Sequence, residues 1–77
     1  MEITVYLKTG DPYSDMLKNL LNYHKIEFNS IEVSRNSEKQ KELFEISGQY
    51  NTPVIKVDDK VFVGFDAAQI KGVLGIK

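Results

Sequence analysis

The sequence contains no cysteine among its 77 residues. The chain therefore cannot form a disulfide, use a thiolate as a nucleophile, or bind zinc or an iron–sulfur cluster through sulfur. It has one histidine, His24, so no histidine cluster is available for zinc or copper, and its carboxylates lack the spacing of a calcium-binding loop. We expect no metal and no resident cofactor.

Long apolar runs and an excess of one charge are also absent. No run approaches the ~20 residues that span a bilayer, and the sequence starts Met1-Glu2 without the basic segment of a signal peptide. The 10 basic and 11 acidic residues are interspersed and give a net charge of -1, which leaves no basic patch for nucleic acid or anionic lipid. We therefore expect a cytoplasmic protein without nucleic-acid or membrane partners.

What is present is the composition of a small globular domain. Hydrophobic residues make up 42% of the chain and charged residues 27%, which distinguishes it from disordered and collagen-like sequences. A chain of this length has room for one hydrophobic core, so residues 1–77 are expected to form a single domain.

The first third of the chain predicts a strand followed by a helix. Residues 3–7 alternate apolar and more polar side chains and run into Thr9-Gly10, as a short strand that ends in a loop does. Asp11-Pro12 then gives a helix start, because Asp is a preferred N-cap and Pro is preferred at the first helical position. The helix should end near His24-Lys25, and its apolar residues at helical spacing are Met16, Leu17, Leu20 and Leu21.

The middle of the chain predicts a second strand and a second helix. Residues 28–33 carry Phe, Ile and Val among polar residues, which indicates a strand. Ser37 is the expected N-cap of a helix that runs to Ser47, and Gly48 is expected to end that helix in the left-handed conformation.

The last third predicts a hairpin and a third helix. Residues 54–57 and 61–63 are rich in β-forming side chains and are separated by Asp58-Asp59-Lys60, which favours an antiparallel pair. Asp66-Ala67-Ala68-Gln69 has the form of a capping box, and the apolar stripe behind it consists of Ile70, Val73 and Leu74. The predicted order is β-α-β-α-β-β-α, with a right-handed crossover between the first two strands.

Short segments of the sequence, in the right order, resemble a known family. Lys8 lies three residues before Asp11-Pro12-Tyr13-Ser14, much as a lysine precedes the Cys-Pro-Tyr-Cys motif of glutaredoxins. Thr52-Pro53-Val54 resembles the family's Val-Pro segment, whose proline is cis and lies beside the motif. Val63-Gly64-Phe65-Asp66 resembles the Gly-Phe-Asp of small bacterial and archaeal glutaredoxin-like proteins and, in part, of the redoxins that serve ribonucleotide reductase.

The sequence therefore resembles a glutaredoxin-like protein of the thioredoxin-fold superfamily whose redox motif is degenerate, with Asp11 and Ser14 in place of the cysteines. The resemblance implies an α/β thioredoxin fold, in which three helices flank a four-stranded mixed sheet. It also implies descent from thiol–disulfide oxidoreductases of cell redox homeostasis. The chain itself lacks the sulfur that this reaction needs.

Two interpretations of Asp11 follow from its place at a helix start. In the first it is an N-cap that stabilises the helix by about 1 kcal/mol. In the second its carboxylate mimics the family's thiolate, because unsatisfied N–H groups and the helix dipole favour an anion there, and it holds a polar ligand. Ser14 is not expected to be a hydrolytic nucleophile, since His24 lies ten residues along the same helix, about 15 Å away.

Glutathione binds beside the motif in glutaredoxins, and the resemblance carries candidate contacts over to this chain. Lys8 is expected to meet a carboxylate, Thr52 to pair its backbone with an extended peptide, and the helix start at Asp66 to bind a terminal carboxylate. The alternatives are a solvated lysine at Lys8, a surface aromatic at Tyr13 and a plain N-cap at Asp66. Phe65 stands where many glutathione-binding members have a smaller residue, which predicts weak glutathione affinity. The candidate ligand-binding residues are Lys8, Tyr13, Thr52, Pro53, Gly64, Phe65 and Asp66.

Three functions fit these residues. The first is a non-catalytic module that binds a protein or peptide, with glutathione as a possible weak ligand, in the groove beside Pro53. The second is a thiol–disulfide oxidoreductase represented here by a cysteine-less variant. The third is a structural domain that contributes a sheet edge or a helix face to an assembly.

Overall fold

Seven secondary-structure elements follow one another in the computed structural model, which describes residues 1–76. They are β1 (Ile3–Leu7), α1 (Pro12–Tyr23), β2 (Asn29–Glu32), α2 (Ser37–Ser47), β3 (Val54–Val57), β4 (Lys60–Val63) and α3 (Ala67–Leu74). This order is the predicted one. No helix within residues 1–76 combines the length and the apolar character needed to cross a membrane.

The four strands form one mixed sheet in the order β2-β1-β3-β4. β1 is parallel to β2 and antiparallel to β3, and β3 and β4 form the predicted hairpin. The thioredoxin fold expected from the sequence is thereby confirmed. Because Tyr6 in β1 pairs with Val54 in β3, the loop after β1 and the residues before β3 meet at the same edge of the sheet.

The core lies on both faces of the sheet because successive side chains of a strand point to opposite faces. On one face, the β1 side chains pack with α1 and α3; the residues in contact are Ile3, Val5, Leu7, Leu17 and Ile70. On the other face, Tyr6 packs with Leu43 of α2. The sheet is therefore covered by α1 and α3 on one side and by α2 on the other.

Most helix boundaries agree with the sequence, and three boundary predictions need correction. β4 begins at Lys60, which the sequence assigned to the turn, because Lys60 pairs with Val57 of β3. The N-cap of α2 is Asn36 and not Ser37: Asn36 Oδ1 accepts a hydrogen bond from Lys39 N at 3.1 Å. Asn and Ser are nearly equal as N-caps, so adjacent candidates are decided by the path of the chain. β2 is shorter than predicted. Phe28, just before it, packs against the core, and Val33, just after it, is buried and donates its N–H to Leu7 O at 2.9 Å.

The pKa of Tyr6 provides a test of the packing between β1 and α2. Burial raises this pKa to about 12, and the nearby carboxylate of Glu42 adds to the shift. The value in the unfolded chain is about 10, so the contribution of Tyr6 to stability is present below that pH and is lost as the pH rises toward the folded-state value.

We expect Glu42→Gln to lower the pKa of Tyr6 while leaving it above the unfolded value, since burial remains. The titration is measured by ultraviolet absorbance in a background where Tyr13, Tyr23 and Tyr50 are replaced by Phe. An unchanged titration curve in Glu42→Gln would show that the carboxylate does not act on Tyr6.

Candidate functional site

The loop after β1 brings a carboxylate to the start of α1. Asp11 N donates to Lys8 O at 3.2 Å, and Gly10 turns the chain with φ 83°, a left-handed conformation that glycine adopts without steric cost. Pro12 then fills the first position of the helix. Asp11 is consequently the N-cap of α1, as the sequence predicts.

The Asp11 carboxylate does more than cap the helix. Its Oδ1 accepts from Tyr13 N at 3.0 Å, which is the cap bond. Its Oδ2 accepts from Ser14 Oγ at 3.0 Å and from Thr52 Oγ1 at 2.6 Å. Ser14 is only 1% exposed, and its Oγ also accepts from Lys8 N at 3.3 Å. One carboxylate therefore ties α1, the end of β1 and the residue before Pro53 together.

These bonds set the ionisation of Asp11. Burial alone would raise the pKa of its carboxyl group, but hydrogen bonds from the Thr52 and Ser14 hydroxyls and from the backbone N–H groups of Tyr13 and Ser14 outweigh that effect. The pKa of Asp11 is lowered as a result. The group is an anion at neutral pH, at the helix end whose dipole favours negative charge.

The segment before β3 presents unused backbone groups to this site. The Thr52-Pro53 bond is cis, as the sequence resemblance implies, and Pro53 is buried. Gly64 N donates to Pro53 O at 2.8 Å, so the loop after β4 is fastened to the same segment. The N–H and C=O groups of Thr52 make no hydrogen bond with the residues that the structure describes.

Lys8 is held by a residue that the sequence did not single out. Its Nζ donates to the Tyr50 carbonyl oxygen at 3.2 Å. The Tyr50 ring stacks on Phe44, with ring centroids 4.8 Å apart and planes 24° apart. Phe44, on α2, is 44% exposed. The sequence could have pointed to Tyr50 only through its position two residues before Thr52. That position does not predict that the Tyr50 ring stacks on Phe44.

The remaining candidate residues lie around these contacts. Tyr13 is 57% exposed on the first turn of α1. Phe65 is half-buried and packs against the core between β1 and the helices α1 and α3. Asp66 caps α3, with its Oδ1 accepting from Gln69 N at 3.1 Å, so its cap interpretation is confirmed. Hydrogen bonds thus join Lys8, Asp11, Ser14 and Thr52 directly, and a further bond joins Pro53 to Gly64.

A second carboxylate holds the loop that carries Asp11. Glu32 Oε1 accepts from Thr9 N at 3.1 Å and from Ser34 N at 3.0 Å, and it is also bound by the Ser34 hydroxyl. Thr9 N also donates a hydrogen bond to Ser34 Oγ at 2.8 Å. The Ser34 hydroxyl is the largest influence on Glu32 and lowers the pKa of its carboxyl group, which these bonds keep ionised. No sequence pattern indicated this contact between the ends of β1 and β2.

Comparison with known proteins identifies the family. The family model described as Glutaredoxin matches residues 3–62, most of the chain. This chain belongs to the glutaredoxin family. The segment from Asp11 to Ser14 at the start of α1, which resembles the Cys-Pro-Tyr-Cys motif of this family, contains no cysteine.

Individual glutaredoxin relatives agree with this assignment. The chain is 29% identical over 68 residues to an uncharacterized glutaredoxin-like 8.6 kDa protein in the rubredoxin operon of Clostridium pasteurianum, covering 88% of this chain and 91% of the relative. NrdH-redoxin from Escherichia coli superimposes with a TM-score of 0.80 at 25% identity over 95% of each chain. Buckwheat glutaredoxin in complex with glutathione superimposes with a TM-score of 0.74 at 25% identity, over 95% of this chain and 69% of that one.

Replacing Asp11 should separate its cap bond from its bridge to Thr52. We expect Asp11→Ala to lower the free energy of unfolding at pH 7 by about 1–2 kcal/mol, since it removes the cap and leaves the Thr52 hydroxyl without its acceptor. Asp11→Asn keeps the cap, so its loss should be smaller. Asp15→Asn, in the same helical turn but without a side-chain bond, is the matched control.

The pH dependence of these variants follows from the lowered pKa of Asp11. A lowered folded-state pKa contributes stability above the unfolded value of about 3.9, and this contribution is lost as the pH falls through the folded-state value. The difference between the parent and Asp11→Asn in urea unfolding should therefore shrink on acidification. A difference that is constant with pH would contradict the role given to the charge.

Proposed function

We propose that this chain is a non-catalytic binding module that holds an extended peptide in the groove beside Pro53. The observation that carries the proposal is the position of Thr52. Its side chain is fixed by the 2.6 Å bond to Asp11, while its backbone N–H and C=O form no hydrogen bond with the described residues. An extended peptide can satisfy both groups by pairing as an added strand.

The replaced motif supports binding without chemistry. Thiol–disulfide exchange requires a thiolate, and the chain has no cysteine to supply one. The bonds around Asp11 nonetheless keep the helix start beside the Pro53 segment. A helix start that stays in place beside this segment without a nucleophile favours non-covalent recognition over turnover. The cytoplasmic location expected from the sequence belongs to the same proposal.

Glutathione is the second ligand class in this proposal, with weak affinity. The buckwheat relative was solved as a glutathione complex, and glutathione is itself a short peptide. In this chain, the ammonium of Lys8 is already engaged by the Tyr50 carbonyl oxygen, which lowers its availability for a ligand carboxylate. Phe65 follows the Gly64 turn and stands where the family resemblance leads us to expect a smaller residue in members that bind glutathione.

Amide NMR shifts test where ligands bind. We expect reduced glutathione at millimolar concentration, and a cysteine-free peptide at lower concentration, to shift the amides of Lys8, Tyr13, Thr52, Phe65 and Asp66. The matched control is the same peptide with N-methyl groups along its backbone, which removes the N–H donors needed for strand pairing. An equal response to both peptides, or no shift at these amides with either ligand, would refute the proposed binding mode.

Restoring the thiols tests whether the redox site around the motif is intact, as the oxidoreductase alternative requires. We expect the double substitution Asp11→Cys with Ser14→Cys to confer measurable disulfide reductase activity with a dithiol reductant, because both positions keep the geometry of the helix start. Ser14→Cys alone is the control, since it lacks the N-cap thiol. Inactivity of a folded double variant would show that the groove is no longer shaped for disulfide exchange.

A further inference from the structure

Helix α1 carries a second apolar surface beside the face that it buries in the core. This surface, the α1 stripe, consists of Tyr13, Met16, Leu20 and Tyr23. At 3.6 residues per turn, these four positions fall within an arc of about 80° on the helix. Leu17 and Leu21, which α1 buries, lie on the neighbouring arc. The α1 stripe therefore runs the length of the helix without being part of the core-facing side.

Most of the α1 stripe is open to solvent. Tyr13 is 57% exposed, Met16 47% and Tyr23 81%, while Leu20 between them is partly buried against the core. Apolar side chains that are exposed singly are normal on a soluble protein, whereas a contiguous row of them indicates an interaction surface.

The charged residues of α1 point away from the stripe. Asp15 and Lys18 lie on the opposite side of the helix, and the residue that borders the stripe, Asn19, is uncharged. A second apolar helix can therefore lie along the stripe without bringing α1 charges together. The same arrangement gives a highly charged partner nothing on α1 to pair with.

The α1 stripe is symmetric along the helix. Its residues are separated by three, four and three positions, and in either direction they read aromatic, aliphatic, aliphatic, aromatic. An interface with two-fold symmetry requires a surface that is complementary to itself. In an antiparallel pair of α1 helices, Tyr13 lies opposite Tyr23 of the second copy, and Met16 lies opposite Leu20. The pattern thus fits a second copy of this chain.

We propose that the α1 stripe is the interface of a weak homodimer in which two α1 helices pack antiparallel about a two-fold axis. For side chains of about 200 Å² each, the exposed fractions of Tyr13, Met16 and Tyr23 amount to roughly 350–400 Å² per copy. With the residues that flank the stripe, a pair reaches the lower end of specific interfaces, about 1,000 Å² in total. This inference does not rest on the peptide-binding proposal and is tested without peptide.

Sedimentation equilibrium of the full chain tests for the dimer. We expect the average mass to rise from monomer toward dimer between about 10 μM and about 1 mM, with a dissociation constant on the order of 100 μM. A mass that stays monomeric over this range would overturn the proposal, since the stripe would then be solvated or cover a different protein.

Two matched variants locate the interface. Met16→Glu should raise the dissociation constant at least about tenfold, because the two-fold axis places an unpaired charge in the interface twice. Phe44→Glu is the control, since Phe44 is similarly exposed, at 44%, but lies on α2. Tyr23→Glu, at the most exposed position of the stripe, should act as Met16→Glu does. Circular dichroism checks that each variant is folded. A dimer weakened by Phe44→Glu and not by the α1 variants would overturn the assignment.

Two double variants test the antiparallel pairing at about 0.15 M salt, which screens the change in net charge. Tyr13→Lys with Tyr23→Glu places opposite charges across the interface, so the dissociation constant should stay within about threefold of the parent value. Tyr13→Glu with Tyr23→Glu places like charges there and should weaken the dimer at least about tenfold. Equal weakening by both double variants would overturn the antiparallel arrangement.

Discussion

The hydrogen bonds of the Asp11 carboxylate are the constraint on which the rest of the site depends. They join the first turn of α1 to Ser14, which is buried, and to Thr52, which lies 41 positions away in the sequence. Without this anion, the helix start would keep free N–H groups and the Thr52 hydroxyl would lose its acceptor. The position of the Pro53 segment against α1 is thus coupled to one ionised group, and that group is itself stabilised by the segment.

The electrostatics of the helix start explain how a glutaredoxin can lose its sulfur and keep its architecture. The N-terminal end of a helix stabilises any anion, whether thiolate or carboxylate, through the same N–H groups and dipole. A carboxylate has two oxygens, however, so it can hold the cap bond with one and bridge to Ser14 and Thr52 with the other. A thiolate has one acceptor atom instead of two, and sulfur is a weaker acceptor than oxygen. The substitution exchanges reactivity for a more extensively hydrogen-bonded junction.

Local patterns predicted the elements and the caps at Asp11 and Asp66, because capping and periodicity act over a few residues. The cis bond before Pro53 followed from family resemblance alone, since cis X–Pro bonds are uncommon. Long-range contacts were not predictable. The bonds of Glu32 to Thr9 and the stacking of Tyr50 on Phe44 arise when separate loops meet at one sheet edge. The shift of the α2 cap to Asn36 shows the same limit at short range.

A site fixed before its partner arrives has consequences for affinity. Two carboxylates hold the loop after β1, Asp11 from the helix side and Glu32 from the β2 side, so little ordering remains for a ligand to induce. Preorganisation of this kind reduces the entropy lost on association. In the proposed function no covalent bond holds the partner, so the affinity of a peptide comes from backbone pairing at Thr52 and from the side chains around it.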